Sequence, residues 1–134
     1  MLENLKKLEK HINSELSSKI HNSVINNDEL LIEVGENDLT EVVQFIKSND
    51  KLKFRQLIDI AGVDYPEEDK RFNLIYLFLS HENNSRLKLL IKFETSQTIN
   101  SITKIFPSAN WMEREVFDMY GIKFKNHPDL RRIL

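Results

Sequence analysis

Three carboxylates, Glu113, Glu115 and Asp118, sit close together in the chain, and paired carboxylates are what general acid–base chemistry requires. Arg114 lies among them. On a helix, Arg114 and Asp118 are four residues apart and can pair. Glu115 and Asp118, three apart, project the same way, as do Trp111 and Glu115. No substrate pocket and no second reactive group can be read elsewhere, which weighs against an acid–base enzyme. No serine lies in a nucleophile elbow. His11, His21, His81 and His127 are scattered, and none forms a ligand pair with a carboxylate base at helical spacing. They read as surface histidines, with no metal. There is no cysteine, which removes disulfides, thiolate-held zinc or iron–sulfur clusters and thiol nucleophiles together. Only three glycines are present, Gly35, Gly62 and Gly121. No Gly-rich phosphate cradle can be built from them, so NADH or flavin is not held in the Rossmann manner.

The elements that position these residues begin with an amphipathic helix, in which Leu2, Leu5, Leu8, Ile12 and Leu16 recur at helical spacing. Ile20–Ile25 and Glu29–Val34 flank Asn26-Asn27-Asp28 and read as a hairpin. Asp38 and Glu41 match a capping box before a second helix striped by Leu39, Val42, Val43 and Ile46, with Lys47 suited to its C-terminal dipole. Phe54–Tyr65 reads as a strand kinked or bulged at Gly62. Phe72–Leu79 and Arg86–Glu94 are further strands; Leu87, Leu89, Ile91 and Phe93 share one face of the latter. Ile99, Ile102, Ile105 and Phe106 mark a short helix that Pro107 interrupts. Asn110 then caps a helix from Trp111 to Tyr120, with Glu113 at its third position and Gly121 as its left-handed stop. The order predicts an α+β fold: a mixed or antiparallel sheet with helices packed on one side. One domain spans residues 1–121, and an extended C-terminal tail spans 122–134.

Composition bounds the rest. The chain has 134 residues, 40% of them hydrophobic, enough for one core. The formal net charge of −2 gives no basic excess for phosphate neutralisation. Phe72, Tyr76, Phe78 and Phe93 read as core, which counts against an RNA-stacking platform. No apolar h-region follows the N-terminus, so no secretory signal is expected. The longest apolar run, Leu74–Leu79, falls far short of the roughly 20 residues of a spanning helix.

The charges of 113–118 alternate with Trp111, Val116, Phe117 and Tyr120 rather than forming a clean polar face. They make either a solvated face with an i,i+4 pair or a partly buried network whose partners come from the domain or from another subunit. Physics alone leaves both open.

Glu113-Arg114-Glu115-Val116-Phe117-Asp118-Met119-Tyr120-Gly121-Ile122, then Phe124 and His127-Pro128-Asp129-Leu130-Arg131-Arg132-Ile133-Leu134, resembles the signature of the C subunit of respiratory complex I. Pro107–Trp111, Ile58–Pro66 and Arg71-Phe72 resemble the family's approach to it, so most of the chain from Phe54 onward is covered. The resemblance implies a structural subunit without catalytic residues or a cofactor of its own. It would pack against the large quinone-site subunit (the D subunit) of NADH:quinone oxidoreductase, at the cytoplasmic side of a bacterial inner membrane or the matrix side in mitochondria. FMN and iron–sulfur clusters would lie in partner subunits. Glu113, Arg114, Glu115, Asp118, Tyr120, Gly121, His127, Pro128, Asp129, Arg131 and Arg132 would be its structural or interface residues. Subunits of membrane-bound hydrogenases and of ferredoxin- or F420-linked complexes share the signature, and a standalone RNA- or protein-binding module is the alternative of another class. Family members continue past His-Pro-Asp-Leu-Arg-Arg-Ile-Leu with a partner-wrapping segment, which leads to the expectation that the interface is incomplete here.

Overall fold

The computed structural model describes residues 2–27, 29–94 and 97–128. Helix α1 (Leu2–Leu16) buries Leu5, Ile12 and Leu16, the stripe its spacing predicts. Strands β1 (Ile20–Asn26) and β2 (Glu29–Val34) form the expected antiparallel hairpin. Helix α2 (Leu39–Ser48) buries Leu39, Val42, Val43 and Ile46. Strands β3 (Gln56–Asp64), β4 (Phe72–Ser80) and β5 (Ser85–Phe93) follow as an antiparallel meander.

The five strands make one sheet in the order β1-β2-β5-β4-β3, and the β2–β5 seam is parallel, so the sheet is mixed. Strand alternation decides what each face carries. On one face Leu30, Leu74, Tyr76, Phe78, Leu87 and Leu89 are fully buried. The helical layer packs on that face. The Phe106 ring lies 5.4 Å from that of Phe78, and Lys47 of α2 donates to the carbonyl of the adjoining Ile105 at 2.6 Å. Burying each such Phe or Leu side chain contributes about 1.5–3 kcal/mol. The aromatics read as core are core.

Four local expectations change. Asp38 precedes α2 but makes no side-chain cap bond, while Lys47 does lie in the last turn of α2 as expected. The β3 bulge falls between Leu57 and Asp59, not at Gly62, and the Asp59 carboxylate accepts from Ile60 N–H at 2.9 Å there. The predicted helix over Ile99–Phe106 is instead a two-residue strand, β6 (Ile99–Asn100), followed by a single turn closed by Phe106 N–H to Ile102 O at 2.8 Å. That arrangement buries Ile99, Ile102 and Phe106 as a helix would, so their spacing could not separate the two. Helix α3 (Ala109–Tyr120) starts earlier, with Ser108 at its N-cap and Asn110 inside it.

Residues 122–128, expected as extended tail, are packed against the domain. Strand β7 (Phe124–Lys125) pairs in parallel with β6, and Ile122 and Phe124 are buried in the same core. Residues 129–134 lie outside the described residues.

Candidate subunit interface

The inner side of α3 carries Ala109, Glu113 and Val116, all buried. Glu113 falls there because positions i, i+4 and i+7 share a helix face. Its carboxylate is fully buried and accepts from Ser101 Oγ at 2.6 Å and from Ile102 N–H at 2.9 Å. Thr103 supports Ser101, its Oγ1 2.9 Å from Ser101 Oγ. His127 Nε2 lies 3.0 Å from Asn110 O. A carbonyl only accepts, so Nε2 carries a proton. The same atom is 3.8 Å from Glu113 Oε1, and both side chains are shut away from solvent. His127 is therefore no surface histidine. A buried carboxylate is costly unless its lone pairs are met. Here α3 is anchored to the chain just past β6 and just past β7 by the groups that meet them.

Burial pushes the Glu113 carboxyl above its ordinary 4.5, while the bonds from Ser101 and Ile102 and the nearby His127 pull against that rise. Burial, and then the charge of Glu113, push the Tyr76 hydroxyl well above its ordinary range, which puts the two in one electrostatic neighbourhood beneath α3. A carboxyl with a raised folded-state pKa binds its proton more tightly in the native state. Its stabilising contribution is fully present below its unfolded pKa and is lost as pH rises through the raised value. Glu113→Gln cannot titrate. The thermal midpoint of the native chain relative to Glu113→Gln should be most favourable at acidic pH and decline toward neutrality. A difference that stays flat between about pH 4 and pH 7 would contradict this.

Tyr120 closes the other end of α3. Its hydroxyl donates to Gly62 O at 2.9 Å, and its ring lies 6.5 Å from that of Phe72. A Cβ on Gly62 would stand 2.8 Å from Tyr120 Cε2. Gly121, at φ 71°, ends the helix in the left-handed conformation, its N–H on Phe117 O at 2.8 Å. That turn sends Ile122 and Phe124 back into the core.

The outer side of α3 differs in kind. Trp111 is 50% exposed and Met119 71%, and Glu115 between them is exposed. The three stand at i, i+4 and i+8, one stripe. Arg114, four residues before Asp118, places its guanidinium carbon 5.1 Å from the Trp111 ring centroid, and its Nε is buried with no hydrogen-bond partner among the described residues. Pro128 is exposed. Among the described residues no three metal-ligating side chains cluster. Of the three carboxylates of this helix, Glu113 is sequestered from any substrate. The outer side thus shows an exposed Trp and Met with a half-buried Arg stacked beside them, residue types enriched at interface centres.

The family model of the respiratory-chain NADH dehydrogenase 30 kDa subunit matches residues 32–134. The chain belongs to that family. The NADH-quinone oxidoreductase C subunit of Ruegeria pomeroyi is 42% identical over 134 residues, which is 100% of this chain and 67% of the relative. Its counterpart in Chelativorans sp. is 40% identical over the same share of each, and that of Dinoroseobacter shibae 43% over 97% of this chain and 60% of the relative. The chain thus spans about two thirds of the length of the relatives. Among solved structures, the trypsin-resistant fragment of Nqo5 aligns with a TM-score of 0.79 at 25% identity, over 94% of this chain and 98% of the fragment. A chain of a membrane-bound sulfane sulfur reductase, an archaeal respiratory membrane complex, shares the fold with a TM-score of 0.79 at 17% identity, over 91% of this chain and 71% of that one.

Within the 30 kDa family's signature, the structure separates two groups that the sequence runs together. Glu113, Tyr120, Gly121 and His127 serve the fold. Arg114, Glu115 and Asp118 lie on or beside the outer stripe. Asp129, Arg131 and Arg132 lie outside the described residues. Sequence reasoning missed Ser101, the nearness of Tyr76 to Glu113 and the approach of Tyr120 to Gly62. A helical wheel setting Glu113 between Ala109 and Val116 was the available sign of its burial.

Proposed function

We propose that the chain acts as the cofactor-free structural 30 kDa subunit of the proton-pumping NADH:quinone oxidoreductase. Through the outer face of α3 and the residues after Asn126 it docks on the large quinone-site subunit. FMN and the iron–sulfur clusters belong to partner subunits, and this chain contributes no catalytic residue. It sits peripherally at the cytoplasmic side of the membrane, held by its partners; no helix among the described residues is long and apolar enough to cross one. The carrying observation is the signature helix itself, which is fixed from inside by the Glu113 bonds and presents Trp111 and Met119 outward, with Arg114 over the Trp111 ring.

Arg114→Ala and Arg132→Ala should each weaken association with the quinone-site subunit. A hot-spot loss of about 2 kcal/mol or more is roughly thirtyfold or more in Kd, with a matching fall in quinone reductase activity of the assembled complex. Co-purification of the two proteins and activity of the complex read this out. Full assembly in both variants would sink the docking surface.

A further inference from the structure

We infer that Met119 is an oxidation site: a peroxide converts its thioether to the sulfoxide in the unassembled chain, and the modified chain docks less well through α3. The inference rests on the docking role proposed for that helix, and the test keeps the two apart. The chain has no cysteine, so the thioethers of its three methionines are its only sulfur. Two of them lie on α3 seven residues apart, nearly in phase on a helix. Met112 is half-buried and packs against the core. Met119 is 71% exposed, the most open large hydrophobic side chain among the described residues. Helix phase does not account for that difference. Rotating the helix to bury Met119 would pull the Tyr120 hydroxyl off Gly62 O, which it meets at 2.9 Å. The sulfur is therefore held in the open.

An exposed thioether reacts with hydrogen peroxide without a catalytic neighbour. The sulfur lone pair attacks one peroxide oxygen. The S–O bond forms as the O–O bond breaks, and the departing hydroxide takes up a proton and leaves as water. Sulfur is oxidised by two electrons and the peroxide is reduced. The reactant is apolar and flexible; the product is polar and chiral. At Met119 that change falls on the stripe shared with Trp111 and Glu115, at i, i+4 and i+8. A buried sulfoxide oxygen is costly unless it meets a hydrogen-bond donor, and a surface shaped for an apolar side chain supplies none. Docking through this stripe covers the sulfur, so the reaction selects chains that have not yet assembled.

Peptide mass spectrometry of the isolated chain in dilute hydrogen peroxide should find the added oxygen on Met119 roughly tenfold sooner than on Met112, because susceptibility follows exposure. In the complex with the quinone-site subunit, Met119 should be protected by a similar factor. The oxidised chain should bind that subunit about tenfold or more weakly, the scale of losing one side chain's contact in an interface. Met119→Leu, compared with itself before and after the same treatment, should show no such loss. Equal oxidation of Met112 and Met119 would overturn the inference. So would an equal loss of affinity on treating Met119→Leu, which would assign the effect to another side chain. Protection of Met119 in the complex with an unchanged Kd after oxidation would overturn the inference and leave docking through α3 standing. Oxidation of Met119 at one rate in the free and the assembled chain would sink docking through α3, and this inference with it.

Discussion

Glu113→Ala is expected to lower the stability of the isolated chain by about 3–5 kcal/mol, the usual effect of removing one partner from a buried polar cluster. Alanine leaves Ser101 Oγ and Ile102 N–H buried without acceptors, each worth about 1–3 kcal/mol. His127 then faces a hole. Since domains of this kind hold only about 5–15 kcal/mol in total, urea unfolding should show a sharply lower midpoint, and some of the chain should be unfolded without denaturant. Glu113→Gln keeps the shape and one acceptor, so it should lose distinctly less. A loss below about 1 kcal/mol for the alanine variant would mean that these bonds exchange freely with water.

Gly62→Ala should cost about 1–3 kcal/mol through overpacking. The added methyl would sit 2.8 Å from Tyr120 Cε2 and 3.0 Å from Cδ2, so the ring must move, and the bond from its hydroxyl to Gly62 O must lengthen with it. Tyr120→Phe removes only that bond, at about 1 kcal/mol. If the contact is the cause, the two substitutions combined should cost less than the sum of their separate effects. Thermal unfolding of the four chains measures the coupling; strict additivity would show that Gly62 is needed for another reason.

The main elements are legible in the sequence because each carries its own period. The Leu5–Ile12–Leu16 stripe and the Leu87–Phe93 alternation leave no second solution. The segment 99–106 is not legible, because whether Ile99 begins a strand or a helix depends on Lys123 and Lys125, whose carbonyls take the Ile99 and Ser101 N–H groups. Gly62 stands out in the sequence for a different cause from the real one: its requirement comes from a ring 58 residues later, not from its own backbone. The candidate interface is visible as a dense run of types but not as two faces. Glu113 and Glu115 are two residues apart and point to opposite environments, one buried and one exposed, and only helix phase separates them. His127 reads as a surface residue because its burial is created by Asn110 and Glu113, seventeen and fourteen positions upstream.

The parallel seam between β2 and β5 has a consequence for how the chain comes into being. Leu30 meets Leu87 and Ile32 meets Leu89, pairs whose loop closure is unfavourable until the intervening meander has formed. During synthesis the β1–β2 hairpin therefore leaves the ribosome with the edge of β2 unpaired and waits for β5. An unpaired edge beside Leu30 and Ile32 is a template for wrong pairing with other nascent chains. The charged Glu29 and Glu33 on that same strand act as its guard until β5 arrives.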